Sequence, residues 1–133
     1  MSGPYAAPLT GRRLLIVEDE ALVAMMLEDM LESLGCVVVD VAGSVTQGLA
    51  LLGDAAIGLD AAVLDVNLGG EKVYPVAEKL SASGVPFIFS TGYGLAGIAP
   101  GFAGVPALAK PFRPQALEAA LLSVLGGPPA PNV

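Results

Sequence analysis

Short apolar runs alternate along the chain with longer segments whose apolar residues recur every three or four positions. Arg12–Val17 (RRLLIV) is an apolar run stopped by acids and predicts a strand. Ala21–Leu34 has helical spacing, with Gly35 placed to end the helix. Cys36–Val41 (CVVVDV) is short and β-branched, a second strand. Ser44 can cap a helix running to Leu52. Ala61–Asp65 reads as a buried third strand, Val73–Ser83 as a helix ending at Gly84, Pro86–Ser90 as a fourth strand and Val105–Ala109 as a short fifth. Pro114–Leu125 is a last helix with its proline in the first turn. Thr91–Gly104 breaks the pattern: five glycines and one proline in 14 residues predict a helix that is short or mobile. Residues 1–11 and 126–133 are rich in Gly, Pro and Ala and read as flexible tails around one domain at 12–125.

Strands alternating with helices predict an α/β domain whose parallel sheet is covered on both faces. Five such units point to a flavodoxin-like doubly wound sheet in the order 2-1-3-4-5. Ligands of such sheets bind at the carboxyl ends of the strands, near the switch point between strands 1 and 3.

Composition narrows the chemistry. The 133 residues carry a net charge of −7, with one cysteine and no histidine. That charge argues against nucleic-acid binding, which needs Lys and Arg to displace counterions. Lacking histidine, the chain has no Ser-His-Asp or Cys-His catalysis and no His-based metal site. Cys36 alone cannot form an internal disulfide. No signal-peptide h-region or membrane-length apolar run is visible, so the expectation is a cytoplasmic domain without a membrane partner. The charge is also uneven: residues 1–78 hold 12 acids and 3 bases, whereas residues 79–133 hold one acid and three bases.

Read strand by strand, the carboxyl edge explains part of that imbalance. Strand 1 runs into Glu18-Asp19-Glu20, strand 3 ends in Asp65, strand 4 in Ser90-Thr91-Gly92, and strand 5 in Lys110-Pro111. Each piece alone has an ordinary reading, such as acids at a helix N-terminus or a turn residue. Together they bring mutually repelling carboxylates to one crevice, with a hydroxyl and an ammonium beside them. A hard divalent cation such as Mg²⁺ neutralises such a cluster and keeps waters for a substrate phosphate. These are the parts of phosphoryl transfer with a carboxylate nucleophile.

The set resembles the response-regulator receiver domains of bacterial two-component signalling, over about residues 12–125. The matching pieces are Leu15-Ile16-Val17-Glu18-Asp19-Glu20, Val63-Leu64-Asp65-Val66-Asn67, Ser90-Thr91-Gly92 and Ala109-Lys110-Pro111-Phe112. Intervals of 46 residues from Asp19 to Asp65, 26 to Thr91 and 19 to Lys110 fit that family. The resemblance implies that Asp65 is the phosphoacceptor and that Glu18, Asp19, Asp65 and the backbone carbonyl of Asn67 hold Mg²⁺, Asp19 directly and Glu18 through water. It implies that Thr91 is the switch hydroxyl, that Lys110 pairs with the phosphoryl group, and that the Lys110–Pro111 bond is cis. A histidine kinase or histidine phosphotransferase would donate the phosphoryl group to what is a signalling domain, not an enzyme in the usual sense.

Two departures stand out. The strand-5 position that carries a switching aromatic in the family is Ala107, and Phe87–Gly94 (FIFSTGYG) is similar to the receiver subclass with a Phe-Ala-Thr-Gly-(uncharged)-Tyr motif, called FAT GUY. Ser90 replaces its alanine and Tyr93 stands one place early, which makes Tyr93 the candidate switch aromatic. No output domain is visible, so output is expected through an unknown protein partner or a phosphorelay. The last helix has only Gln115, Glu118 and Ser123 as polar positions. That leaves two readings open, a face covered by a partner or second copy (a homodimer) or a surface of small alanines. The alternative from another class is a receiver-like scaffold or dimerisation module that is never phosphorylated. A flavin-binding role is disfavoured because Glu18-Asp19-Glu20 would repel the flavin phosphate. An aspartate-nucleophile hydrolase is disfavoured because Asn67 cannot be its general acid.

Overall fold

The computed structural model describes residues 9–55, 58–92 and 97–125. Five parallel strands form one sheet: β1 (Arg13–Val17), β2 (Val37–Ala42), β3 (Ala61–Asp65), β6 (Phe87–Thr91) and β7 (Ala107–Ala109). The order β2-β1-β3-β6-β7 is the doubly wound one expected, with the strand order reversing between β1 and β3. A two-stranded antiparallel ribbon, β4 (Asn67–Leu68) and β5 (Glu71–Lys72), follows β3 directly. The helices are α1 (Ala21–Ser33), α2 (Val45–Ala55), α3 (Tyr74–Ala82) and α4 (Pro114–Leu125).

The alternation of side chains along a strand divides the core in two. Leu14, Ile16, Ala61, Val63 and Ile88 pack with α1 and α4 through Leu27, Leu31, Leu117 and Leu121. Their neighbours Leu15, Val17, Ala62, Leu64, Phe87 and Phe89 pack with α2 and α3 through Leu52, Val76 and Leu80. Every residue of β3 and β6 is buried, as a central strand covered on both faces requires. Each fully buried leucine contributes about 1.5–3 kcal/mol.

Local signals set most element ends. The α1 helix stops where Gly35 takes φ +92°, and the N–H groups of Cys36 and Gly35 donate to the carbonyls of Leu31 and Glu32, both at 3.0 Å. Ser44 caps α2: its Oγ accepts from the Gln47 N–H at 3.0 Å, while Gln47 Oε1 accepts from the Gly43 N–H at 2.7 Å. Val73 and Ser83, expected inside α3, are its caps.

Several boundaries differ from expectation. Leu9, read as part of a tail, is fully buried in the α1–α4 core. The β2 strand begins one residue late, and its register steps between Leu14↔Val38 and Leu15↔Asp40, leaving Val39 as an extra residue on that edge. The β6 strand ends at Thr91 instead of Ser90, because Thr91 pairs with Ala109 and its carbonyl accepts the Lys110 N–H at 2.9 Å. The β7 strand loses Val105 and Pro106, since proline has no N–H for a ladder and Pro106 contributes only a carbonyl, to Phe89. Within Thr91–Gly104 the described residues contain a 3₁₀ turn, Pro100–Phe102, and no α-helix. Among the described residues no helix is long and apolar enough to cross a membrane.

Cys36, just ahead of β2, is buried beside α1. Burial pushes its thiol up to about 11. The folded protein should therefore resist iodoacetamide at about pH 8 and react at ordinary thiol rates once unfolded in urea, read by intact mass. Native labelling at the unfolded rate would show that α1 does not cover the start of β2.

Candidate functional site

Strand parity brings the reactive side chains together. Glu18 follows Leu14 and Ile16 in the alternation of β1, Asp65 follows Ala61 and Val63 in β3, and Lys110 follows Leu108 in β7. The Glu18 N–H still pairs with the Ala42 carbonyl at 2.9 Å, so the extended run continues past β1. All three side chains thus emerge at the carboxyl edge on one side of the sheet, where parallel strands bring their ends together.

Lys110 joins them. Its Nζ donates to Glu18 Oε1 at 2.9 Å and to Asp65 Oδ2 at 3.2 Å. The second oxygen of each carboxylate accepts a backbone N–H, Glu18 Oε2 from Glu20 at 3.1 Å and Asp65 Oδ1 from Asn67 at 3.2 Å. Glu18 and Asp65 are only 3% and 5% exposed, so both carboxylates depend on these donors. Burial raises the Glu18 carboxyl above its ordinary value, and Asp65 adds to this, although Lys110 and the Glu20 N–H oppose it. Burial by itself would lower the Lys110 ammonium, but Glu18 and Asp65 outweigh it and hold it above the ordinary lysine value.

Asp19 is exposed and completes a group of three carboxylates, with Glu18 and Asp65, whose oxygens lie within 4.8 Å of one another. Asp19, Asp65, Asn67, Gly69, Gly92 and Lys110 line an open cleft of about 450 Å³. The donor set is all oxygen, carries three formal negative charges against one ammonium, and opens to solvent at Asp19. Those features fit a hard cation such as Mg²⁺, which favours carboxylates and keeps several waters.

The β4–β5 ribbon shapes the floor of the cleft. Asn67 pairs with Lys72 and Leu68 with Glu71 around a Gly69-Gly70 turn in which both residues have positive φ, +58° and +97°. In a two-residue hairpin the pair beside the turn exchanges the backbone bonds, and the next pair points its N–H and C=O outward. The Asn67 N–H accordingly reaches Asp65. Buried Leu68 anchors the ribbon in the α2–α3 core. A Cβ on Gly69 would stand 3.6 Å from Asp19 Oδ2, an ordinary contact, so it is the positive φ of this turn and not crowding against the acid that favours glycine. The sequence reading missed the ribbon, although a Gly-Gly pair between Asn67-Leu68 and Glu71-Lys72 is a hairpin signal.

Other expected residues fall as follows. Thr91 is buried at the end of β6, on the opposite parity with Phe87 and Phe89. The Lys110–Pro111 bond is cis. Tyr93 lies outside the described residues. The α4 helix exposes only small or polar residues; among the described residues the exposed large apolar side chains are Leu22 (69%), Met25 (60%) and Met26 (52%) on α1 and Val37 and Val39 on β2. Leu22, Met25 and Met26 thus place exposed apolar surface on α1, just after the acidic run Glu18–Glu20.

Replacing Lys110 with methionine should leave two buried carboxylates without their cation. A carboxyl held above its unfolded value in the folded state costs stability progressively as pH rises from the unfolded value to the raised one, and the full cost is present above it. In Mg²⁺-free buffer Lys110→Met should therefore lose about 3 kcal/mol at about pH 8 and recover much of it near pH 5, by urea unfolding. An equal loss at both pH values would assign the effect to packing instead of charge.

Comparison with known proteins agrees with this fold. The response regulator receiver domain model matches residues 14–122. The chain is 34% identical over 116 residues to the phyllosphere-induced regulator PhyR of Methylorubrum extorquens, covering 84% of this chain and 43% of that protein. The chain thus spans less than half the length of that relative. The solution structure of SdrG from Sphingomonas melonis Fr1 matches at 47% identity and TM-score 0.76, covering 89% of this chain and 98% of SdrG. The receiver domain of a sensor histidine kinase from Pseudomonas aeruginosa PAO1, which has a magnesium ion coordinated in its active site cleft, matches at 28% identity and TM-score 0.75, covering 89% of this chain and all of that one. The chain belongs to the response regulator receiver domain family.

Proposed function

We propose that residues 12–125 form a receiver unit that accepts a phosphoryl group on Asp65 from a phosphohistidine of a histidine kinase or histidine phosphotransferase. The observation that carries this reading is Lys110 bridging the buried carboxylates of Glu18 and Asp65, with Asp19 beside them at the mouth of the cleft. An Asp65 oxygen attacks phosphorus as the phosphorus–nitrogen bond to the imidazole breaks, so an acyl phosphate forms and the donor histidine leaves.

Glu18, Asp19, Asp65 and the Asn67 carbonyl would hold Mg²⁺, which supplies positive charge to offset that gathering on the phosphoryl oxygens. Lys110 has the complementary task. Its bond to Glu18 is the shorter of its two, so Glu18 can keep the ammonium at the site when it turns from Asp65 to a phosphoryl oxygen. Thr91 supplies a hydroxyl from the other parity of the sheet. The new group adds roughly −1.5 to −2 charge, and its pull on Lys110 and Thr91 is the signal. Output then passes through protein contact or onward transfer of the phosphoryl group.

The donor must cover the mouth of the cleft to deliver its histidine. Beside that mouth the first turns of α1 expose Leu22, Met25 and Met26. A narrow apolar groove of about 120 Å³ runs along Val23, Met26, Met30 and Phe112 and reaches Lys110. Adaptable methionines next to the acceptor suit docking of the phosphohistidine protein.

Incubation with acetyl phosphate and Mg²⁺ should add the mass of one phosphoryl group to the wild type and none to Asp65→Asn, by intact-mass spectrometry. An unmodified wild type would leave the scaffold reading standing. Met26→Glu should slow transfer from a phosphohistidine protein by about tenfold, the loss of one docking anchor, and slow acetyl phosphate labelling far less. Equal slowing with both donors would remove the α1 face as the docking surface.

A further inference from the structure

The parity that collects Glu18, Asp65 and Lys110 on one side puts Thr91 on the other, in line with Phe87 and Phe89. An aromatic group fills that side. The Tyr74 ring stacks on Phe102 with centroids 5.2 Å apart and planes 8° from parallel. It meets Phe89 edge-on at 5.9 Å, and Phe102 meets the same ring edge-on at 5.8 Å. Ala107, the β7 partner of Phe89, packs against this group with no ring of its own.

The Tyr74 hydroxyl is a second tie. It donates to the Gly97 carbonyl at 3.1 Å and accepts from the Ala99 N–H at 2.9 Å. Tyr74 opens α3, on the segment that leaves Asp65 through the β4–β5 ribbon, where the Val73 N–H donates to the Val66 carbonyl at 2.9 Å. Gly97–Phe102 belongs to the connection from Thr91 at the end of β6 to β7, which leads into Lys110. One phenol therefore clasps the segment after the acceptor to the segment between Thr91 and Lys110.

We propose that Tyr74 is a positioning residue for phosphoryl acceptance: its hydroxyl clasp on Gly97 and Ala99 holds the unphosphorylated arrangement and is released when Thr91 moves toward the acyl phosphate. The inference rests on Asp65 being the phosphoacceptor. The clasp is closed in a structure where Lys110 still bonds the free Asp65 carboxylate. Thr91 stands two residues beyond Phe89 on the same side of β6, so displacing it disturbs the ring against which Tyr74 and Phe102 pack. By linkage, an interaction made only before phosphorylation opposes it, and removing that interaction makes acceptance easier.

Tyr74→Phe keeps the ring and removes both hydrogen bonds. Beryllofluoride with Mg²⁺, a stand-in for the phosphoryl group, is titrated into wild type and Tyr74→Phe while amide exchange of Ala99 is followed by NMR. The wild-type Ala99 amide should be protected when free and exchange faster when bound. Tyr74→Phe should bind beryllofluoride at least about fivefold tighter, the equivalent of one of the two neutral hydrogen bonds it removes, with its Ala99 amide already fast. A purely structural tyrosine would lower thermal stability and leave beryllofluoride affinity unchanged, which would overturn the proposal. Continued protection of Ala99 in the bound wild type would overturn it too. Failure of the wild type to bind beryllofluoride at all would instead overturn the phosphoacceptor reading on which it stands.

Discussion

The contact between Lys110 and the two buried carboxylates of Glu18 and Asp65 is the constraint on which the site depends. Two carboxylates at the end of a closely packed sheet repel each other, and each is costly to bury uncompensated. One ammonium satisfies an oxygen of each, and backbone N–H groups from Glu20 and Asn67 satisfy the others. The balance is still incomplete, because Asp19 brings a third carboxylate to the same place. That leftover negative charge makes the edge receptive to a cation. The lysine's divided loyalty leaves it able to change partners once Asp65 is no longer a free carboxylate.

Sheet geometry makes this arrangement robust. The side chains that reach the cleft on one side are continuations of the same alternation that fills the α1–α4 core, from Leu14 and Ile16 to Glu18 and from Ala61 and Val63 to Asp65. A one-residue slip in any strand would send its acid or lysine to the opposite face. The close packing that stabilises the domain thereby also fixes the positions of the charges. Opposite it, the Phe87–Phe89–Thr91 series leads into the aromatic group formed with Tyr74 and Phe102, so the two sides of one sheet divide charge from mechanical coupling.

Much of this was legible in the chain. The five strands follow from short apolar runs ended by polar residues, their order from the alternation with helices that marks a doubly wound sheet, and the convergence of Glu18, Asp65 and Lys110 from the two together. Boundaries slipped where pairing outweighs composition, as at Thr91, which looks like a turn residue but pairs with Ala109. The ribbon after Asp65 went unread because two-residue strands have no periodicity. The role of Tyr74 was equally hidden, since its partners Gly97, Ala99 and Phe102 lie more than twenty residues away and only the fold brings them near. The exposed methionines of α1 were counted among helical apolar positions, and spacing alone does not separate the inward stripe from the residues beside it. On α4 spacing left two readings open, a covered face or a surface of small alanines; its exposed positions, Pro114, Gln115, Ala116, Ala119 and Ser123, are small or polar.

If charge balance at the carboxyl edge is what the domain is built around, Mg²⁺ should find the unneutralised part of it. A titration of the apo protein followed by backbone amide shifts tests this most directly. The predicted result is saturable movement concentrated at Asp19, Asp65, Asn67 and Gly69, weakened strongly in Asp19→Asn, with the β2 edge and α4 unmoved. Shifts absent from those residues, or spread evenly over the acidic surface, would contradict the account.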